Sequence, residues 1–147
     1  MPNLMQSRAM LGTAISNCDQ LDNNFSLPTV TQSSHGFAAG DVVRNSAADT
    51  YTKAQADSEA NIGVGLSLVL ASIDSNNFAY APSGKHGDVT ISSHGFGAFG
   101  TKLWLSQATA GLITATEPAS GLIVYLGYVV DTNTIRPISE RLAASSR

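Results

Sequence analysis

The clearest hydrophobic pattern in the chain is an alternation along residues 62–70. Its apolar positions are Ile62, Val64, Leu66, Leu68 and Leu70. Because successive side chains of a β-strand point to opposite faces, this period of two predicts a strand with one strongly apolar face. Gly63 and Gly65 lie between these positions and indicate that a neighbouring backbone approaches the other face closely.

A second strand, predicted at residues 122–130, is apolar on both faces, so we expect it in the centre of a sheet or under a covering layer. Turn-rich segments at 74–77 and 82–85 interrupt the rest of the chain. Many short strands at close spacing predict an all-β fold, either a small barrel or a sandwich. The shorter strands are predicted at residues 29–32, 41–44, 50–53, 77–81, 88–92, 102–106 and 111–114.

An internal repeat relates the two parts of this pattern. The segment Ser-Ser-His-Gly-Phe occupies residues 33–37 and recurs 59 residues later, at 92–96. A one-residue insertion then shifts the spacing to 60, at which Gly40 corresponds to Gly100 and the two long strands correspond as well. Recurrence of both a five-residue segment and the hydrophobic face of a strand indicates a duplicated β unit.

The repeat defines the domain organisation. It divides residues 25–138 into halves of about 27–84 and 86–138. Each half has too few strands to bury both faces alone, so we expect the halves to share one core, with a pseudo-two-fold axis as one arrangement. An N-terminal arm or short helix at residues 1–24 precedes the repeat, and a C-terminal tail at 139–147 follows it.

The predicted arm carries apolar residues that lack an evident partner within a compact duplicated core. We expect these residues to attach the protein to a larger assembly, because exposed apolar groups favour association. They are Leu4, Met5, Met10, Leu11 and Ile15.

Composition narrows the functional classes. The 147 residues are 43% hydrophobic but only 13% charged, whereas average soluble domains have roughly 25% charged residues. Small polar residues must therefore cover most of the surface, which suits an assembly subunit with few free faces. The net charge is −3 and the few Lys and Arg residues are scattered, which disfavours nucleic-acid binding.

Cysteine content and hydropathy exclude further classes. Cys18 is the only cysteine, so an intrachain disulfide and a cysteine-based zinc site are excluded, in agreement with synthesis in a reducing cytoplasm. No apolar stretch has the length of a membrane span. Gln6, Ser7 and Arg8 interrupt the apolar run that a secretory signal would need.

His35 and His94 are the most conspicuous candidates for chemistry, because they occupy equivalent positions of the repeat. A turn-specific hydrogen bond explains the repetition better than a zinc site, which would need further ligands at suitable spacing. The predicted structural turns are therefore His35, Gly36, Phe37, His94, Gly95 and Phe96.

The remaining motifs give no catalytic residue, metal ligand or cofactor site. Residues 95–100 match the G-x-G-x-x-G pattern, but the next segment is predicted as a strand and not as the helix that binds a pyrophosphate. The chain has no G-x-S-x-G motif and no evident carboxylate pair for acid–base work. Trp104 has the opposite strand parity to Leu103 and Leu105, and we predict it as an interface aromatic.

Both halves of the chain resemble a module of tailed-bacteriophage structural proteins. Residues 35–44 contain its Gly-Asp-Val-Val turn and strand, residues 51–61 its Tyr-x-Lys-Ala-x-Ala-Asp-Ser segment, and a Gly-Val strand follows at 63–64. Residues 103–106 and 110–118 are similar to the second half of the same module.

The resemblance covers residues 27–130 and departs from the module at Asn45-Ser46, where an apolar or aromatic residue is common. It implies a virion structural protein, a symmetric assembly such as a homotrimer, and no catalysis. We therefore expect a head decoration, or cement, protein that is made in the host cytoplasm and binds the outer surface of the major capsid protein. A fibre or tail-associated host-adhesion module is the first alternative. A small ligand-binding protein or hydrolase that uses the His-Gly-Phe turns is an alternative of another class.

Overall fold

The fold consists almost entirely of β-strands. The computed structural model describes residues 28–82 and 87–141. Within them the chain forms two antiparallel five-stranded sheets and one short helix, α1 at Glu59–Ile62. The prediction of an all-β fold of short strands is confirmed.

Each sheet is formed by one half of the sequence. The first sheet contains β1 Thr29–Thr31, β2 Val42–Ala47, β3 Thr50–Lys53, β4 Leu66–Asp74 and β5 Asn77–Pro82. The second sheet contains β6 Val89–Thr90, β7 Lys102–Leu105, β8 Ile113–Thr114, β9 Val124–Asp131 and β10 Thr134–Arg141. We call the two halves the first unit and the second unit.

The two sheets have the same topology. Their strand orders are β1-β5-β4-β2-β3 and β6-β10-β9-β7-β8, so each strand of one unit has a counterpart at the same place in the other. The third strand in each order, β4 or β9, is the central one. This agrees with the central position predicted for residues 122–130.

Backbone hydrogen bonds repeat at the spacing found in the sequence. The amide of Gly40 donates to the carbonyl of Val69 at 2.8 Å, and the amide of Gly100 donates to the carbonyl of Val129 at 2.9 Å. In return, the Val69 and Val129 amides donate to the residues that follow these two glycines, again at 2.8 and 2.9 Å. The segment that leads into the second strand of each unit is therefore bound to the central strand in the same way.

Corresponding residues also form the interior of each unit. In the first unit these are Val30, Phe37, Val43, Val69 and Phe78, which pack in one cluster. In the second unit the counterparts are Val89, Phe96, Leu103, Val129 and Ile135, which belong to the core that the two sheets share. The strand register supports the match, because Val30 pairs with Phe78 and Val89 pairs with Ile135.

The two units do not meet through equivalent faces, so the pseudo-two-fold arrangement is wrong. Val42 pairs with Leu68, and both are buried in the shared core. Their counterparts Lys102 and Tyr128 also pair with each other, but Lys102 is exposed and Tyr128 is only half-buried. The first unit thus contacts the second unit through the face of its sheet that contains Val42 and Leu68. The corresponding face of the second unit, which contains Lys102 and Tyr128, points away from the shared core.

We call this side of each unit its outer face. The outer face of the first unit packs against the interior of the second unit at one end of that unit. A cavity at the contact is lined by Val42, Leu66 and Leu68 on one side and by Ile113, Leu126 and Ile135 on the other.

The strand predicted at residues 62–70 begins later than expected. Ile62 ends helix α1, and the strand starts at Leu66. Gly63 ends the helix with a φ of 69°, a positive value that glycine adopts without strain. Ile62 is nevertheless 4% exposed and packs in the shared core, so its apolar character reflects burial at the end of a helical turn.

Strand β10 was missed by the sequence analysis, and it extends to Arg141, into the residues assigned to the C-terminal tail. Pro137 lacks an amide proton, which is uncommon inside a paired strand. The structure accommodates it opposite Gly127, with an irregularity in register between Pro137 and Glu140. The predicted arm at residues 1–24 lies outside the described residues.

Candidate functional site

The repeated Ser-Ser-His-Gly-Phe segments form turns that are held by their histidine rings. The Nδ1 atom of His35 accepts a hydrogen bond from the Phe37 amide at 2.9 Å, and Nε2 lies 2.7 Å from the carbonyl oxygen of Asp74. In the second turn, Nδ1 of His94 accepts from the Phe96 amide at 3.1 Å, and Nε2 lies 2.7 Å from a carbonyl oxygen. The predicted turn-specific hydrogen bond is therefore present in both copies.

This geometry determines the tautomer of each ring. A ring nitrogen that accepts from an amide carries no proton, so the proton is on Nε2, which donates to the carbonyl. Both nitrogens of His35 and of His94 are thus engaged with the backbone. Neither ring has a lone pair left for a metal ion or for proton abstraction.

Each turn binds the tip of one hairpin of its unit, β4–β5 in the first unit and β9–β10 in the second. The amide of Ser34 donates to Oδ1 of Asn76 at 3.0 Å, and the amide of Ser93 donates to Oδ1 of Asn133 at 2.8 Å. The main-chain carbonyls of the same asparagines accept from residues 32 and 91 at 2.7 and 2.8 Å. One asparagine therefore connects the turn to the hairpin in each unit.

A carboxylate holds each asparagine in place. Oδ1 of Asp74 accepts from the Asn76 amide at 2.7 Å, and Oδ1 of Asp131 accepts from the Asn133 amide at 2.8 Å. The Asn77 side chain also donates to Asp74 and is the main cause of its lowered pKa, with the Asn76 amide second. The pKa of Asp131 is lowered chiefly by the Asn133 amide. A repeated Asp-x-Asn at 74–76 and 131–133 was the sequence signal for these residues, which the sequence analysis overlooked.

The two turns differ in their surroundings. His35 is 8% exposed and packs against the rings of Phe37 and Phe78, at centroid distances of 5.3 and 5.1 Å. His94 is only half-buried and stacks on Phe96 at 5.0 Å. The first turn is therefore part of an aromatic interior, whereas the second lies near the surface.

Two tyrosines extend the aromatic interior of the first unit. The rings of Tyr51 and Tyr80 are 5.4 Å apart, and Tyr51 also contacts Phe78 edge-on. A hydrogen bond with Tyr51 is the main cause that raises the pKa of Tyr80 to about 12, and partial burial adds to it. The backbone of Tyr51 is held by the Gln32 side chain, through bonds of 2.7 and 3.0 Å. These contacts hold Tyr51 and Tyr80 in the interior of the first unit.

Backbone hydrogen bonds form the joint between the units. The Val42 amide donates to the carbonyl of Gly111 at 2.9 Å, and the Gly111 amide donates to the carbonyl of Ala54 at 2.7 Å. The Ala56 amide then donates to the carbonyl of Ser106 at 2.9 Å. The second unit contributes to this joint the β7–β8 loop at residues 106–112, with its neighbours Leu105 and Val124. We call this surface of the second unit the receiving surface.

The outer face of the second unit carries a cluster of aromatic and charged side chains. Arg136 forms an ion pair with Asp88 through bonds of 2.6 and 3.0 Å, donates to the Tyr128 hydroxyl at 2.9 Å, and lies over the Tyr128 ring. The pKa of Asp88 is lowered, mainly by this hydrogen bond from Arg136. Phe99 contacts Tyr128 edge-on at 6.4 Å and is 76% exposed.

The prediction that Trp104 is an interface aromatic has to be corrected. Trp104 is 4% exposed, pairs with Thr114 in the sheet, and packs against the ring of Tyr125 at 5.3 Å. Strand parity correctly separated it from Leu103 and Leu105, which are in the shared core. The other face of β7 is also covered at this position, so the ring offers almost no surface to a partner.

The described residues contain no group of three His, Cys, Asp or Glu side chains that could hold a metal ion. In the same part of the chain, no helix has the length and apolar character needed to cross a membrane. Residues 95–100 form a turn before β7, without a helix at that position. Comparison with protein-family models, curated proteins and solved structures finds no match.

Proposed function

We propose that the protein is a structural component of a tailed-bacteriophage virion, a head decoration protein on the capsid surface. In this role it binds the outer surface of the major capsid protein as a symmetric oligomer, with a trimer as the expected state. Several modest contacts in such an oligomer add through effective concentration and clamp neighbouring capsid subunits together.

The observation that carries the proposal is the position of the residues that resemble the phage module. Ala54 and Ala56, which are 0% and 1% exposed, lie at the joint and bond to the second unit through their backbone. Between them, the Gln55 side chain donates to the carbonyl of Gln107 at 2.8 Å. Lys53 forms an ion pair with Asp41 at 3.0 Å, where the Gly-Asp-Val-Val strand begins.

Thus both stretches of the resemblance meet at the joint, and their side chains perform packing and hydrogen bonding. Residues that make a joint between β units are what a structural module requires. The alternative of a hydrolase that uses the His-Gly-Phe turns has less support, because both ring nitrogens of His35 and of His94 already bond to the backbone.

The test uses empty shells assembled from the major capsid protein encoded in the same genome. Purified protein is mixed with the shells at increasing concentration, and bound protein is measured after sedimentation. We expect saturable co-sedimentation and a higher melting temperature of the shells, because a ligand that binds only the assembled state stabilises it. Heat-unfolded protein is the control for non-specific trapping.

Protein that stays in the supernatant at saturating concentrations would refute the decoration role. Binding to intact host cells instead of shells would favour the host-adhesion alternative. A cryo-electron microscopy map of the saturated shells would then identify the capsid site.

A further inference from the structure

The contact between the two units uses two different surfaces. The outer face of the first unit meets the receiving surface of the second unit, and such a heterologous contact leaves one copy of each surface without its partner. Among residues 28–82 and 87–141, these are the outer face of the second unit and the first unit's counterpart of the receiving surface. A contact of the same kind, outer face against receiving surface, would join two copies of the chain.

The free receiving surface belongs to the first unit. It consists of residues 45–49, which are the end of β2 and the β2–β3 turn, and of Val64, which is the counterpart of Val124 at the sequence spacing of 60. Val64 is 97% exposed, whereas Val124 is 1% exposed within the core that the two units share. Residues 45–48, at the end of β2 and in the turn that follows, line one open pocket together with Gly63 and Val64. The apolar side chain that the second unit buries is therefore presented to solvent by the first.

The free outer face belongs to the second unit and has the residue types of a binding surface. The 76% exposed ring of Phe99 is held against Tyr128, and Arg136 lies over that tyrosine with its guanidinium carbon 5.7 Å from the ring centroid. Tyrosine and arginine are enriched among the residues that dominate binding energy at protein interfaces. At the position of Phe99 the first unit has Ala39.

The two free surfaces are also complementary in charge. Lys102 is exposed on the outer face, at the position where the first unit has Val42. Asp49 is exposed in the β2–β3 turn of the free receiving surface. Opposite charges on two surfaces speed their encounter and favour one relative orientation.

We propose that the outer face of the second unit docks on the free receiving surface of the first unit of another copy of the chain. The contact is head-to-tail. When the rotation between successive copies brings the last copy back to the first, the copies form a closed ring, as a symmetric oligomer requires. The inference rests on the proposed function only for the closure of the ring. Its test requires no capsid.

This contact is weaker than the one within the chain. The β2–β3 connection is shorter than the β7–β8 loop, so it has no equivalent of the bonds that Gly111 makes with Val42 and Ala54. Side chains then carry the association, and we expect it to depend on protein concentration.

The test measures molar mass by sedimentation equilibrium for the wild type, Val64→Glu and Phe99→Glu. We expect the wild type to associate and each variant alone to be a monomer, because each loses one of the two surfaces. A one-to-one mixture of the variants should form dimers and nothing larger, since each variant retains the surface that the other lacks. Ile73→Glu is the control: this residue is 56% exposed in the β4–β5 hairpin, outside both surfaces, and its variant should associate like the wild type.

A wild type that remains monomeric at high micromolar concentration overturns the proposal. A mixture of the two variants that stays monomeric also overturns the proposal. That result would fit an interface between two identical surfaces, because either substitution would then damage both sides of the contact. Unchanged self-association with no binding to capsid shells would instead contradict the proposed function alone. Circular dichroism of each variant establishes that a lost association is not a lost fold.

Discussion

His35 and His94 make the same hydrogen bonds in different surroundings, so their substitutions should differ in cost. His35→Ala leaves the Phe37 amide and the Asp74 carbonyl without partners in a buried site and removes a ring from the aromatic cluster. We expect it to lower the free energy of unfolding by about 2–4 kcal/mol. His94→Ala should cost about 1 kcal/mol, because water can reach the groups that it exposes. Urea unfolding followed by tyrosine fluorescence measures both.

Equal losses in the free energy of unfolding for His35→Ala and His94→Ala would contradict the explanation that burial makes the first substitution more costly. If neither variant lost stability, the ring-to-backbone bonds would not be stabilising the turns.

Gly127 allows the unpredicted strand β10 to pair with the central strand. It has a φ of 141°, and a Cβ atom at this position would collide with the carbonyl oxygen of Arg136. Gly127→Ala should therefore destabilise the protein by about 1–3 kcal/mol or more, as strain at such positions does. Gly65→Ala is the matched control, because a Cβ there would meet nothing within 4 Å. Thermal melting of both variants makes the comparison, and equal melting temperatures would refute it.

At the scale of elements, the two hairpins that the histidine turns bind should be sensitive to acid. The pKa values of Asp74 and Asp131 are lowered in the folded protein by hydrogen bonds to the carboxylates. Their contribution to stability is therefore complete above the unfolded pKa of about 3.9 and is lost as the pH falls through the folded values. We expect the melting temperature to fall in that acidic range.

The double variant Asp74→Asn with Asp131→Asn should show a smaller acid-dependent fall than the wild type. The amides retain an oxygen acceptor but do not titrate. Ser75→Ala, a neutral change in the first of these turns, should keep the acid dependence of the wild type. An unchanged slope in the double variant would show that these carboxylates do not cause it.

The hairpins also show why the sequence predicted some elements and missed others. The repeated histidine segment was predictable because its residues are consecutive and carry their own hydrogen-bond chemistry. Strand β10 was not, because it contains Pro137, which strands rarely accommodate, and because its pairing depends on Gly127, a glycine in a different strand. The Asp-x-Asn turns are short and polar, so they become conspicuous only when the two hairpins are compared.

At the scale of the whole molecule, the sequence repeat predicted two similar β units, in agreement with the common strand order of the two sheets, but it did not predict how they pack. The spacing of 60 correctly matched the two central strands at Val69 and Val129, whose backbone groups make the same hydrogen bonds in the two sheets. A few side chains determine which face of each unit points into the shared core; for example, the first unit has Val42 where the second unit has Lys102. A register shift between Leu103 and Trp104 also contributes. Such a shift changes the face on which later residues lie, and no periodicity in the sequence reports it. Strand parity placed Trp104 on the correct side of β7, but its burial depends on the ring of Tyr125 in another strand, which parity does not report.

The predicted N-terminal arm should act in attachment and not in folding. Within residues 28–82 and 87–141 the two five-stranded sheets and a shared core are present, and residues 1–24 lie outside the sequence repeat, so we expect them not to be needed to complete either unit. Their apolar side chains, such as Leu4, Met10 and Ile15, would each contribute roughly 1.5–3 kcal/mol if buried against a partner. Fixing the backbone of the arm costs on the order of 1 kcal/mol per residue, so binding must bury most of them together.

Deletion of residues 2–24 should therefore leave the melting temperature within a few degrees of the wild type and weaken co-sedimentation with capsid shells by at least about tenfold, which corresponds to 1.4 kcal/mol. Replacing Leu4, Met10 and Ile15 with serine in the full chain is the matched variant, because it keeps the length of the arm and removes its apolar groups. We expect it to reproduce the weaker binding. Loss of folding on deletion would mean that the arm completes the core, and undiminished co-sedimentation would mean that the two β units alone make the contact with the capsid.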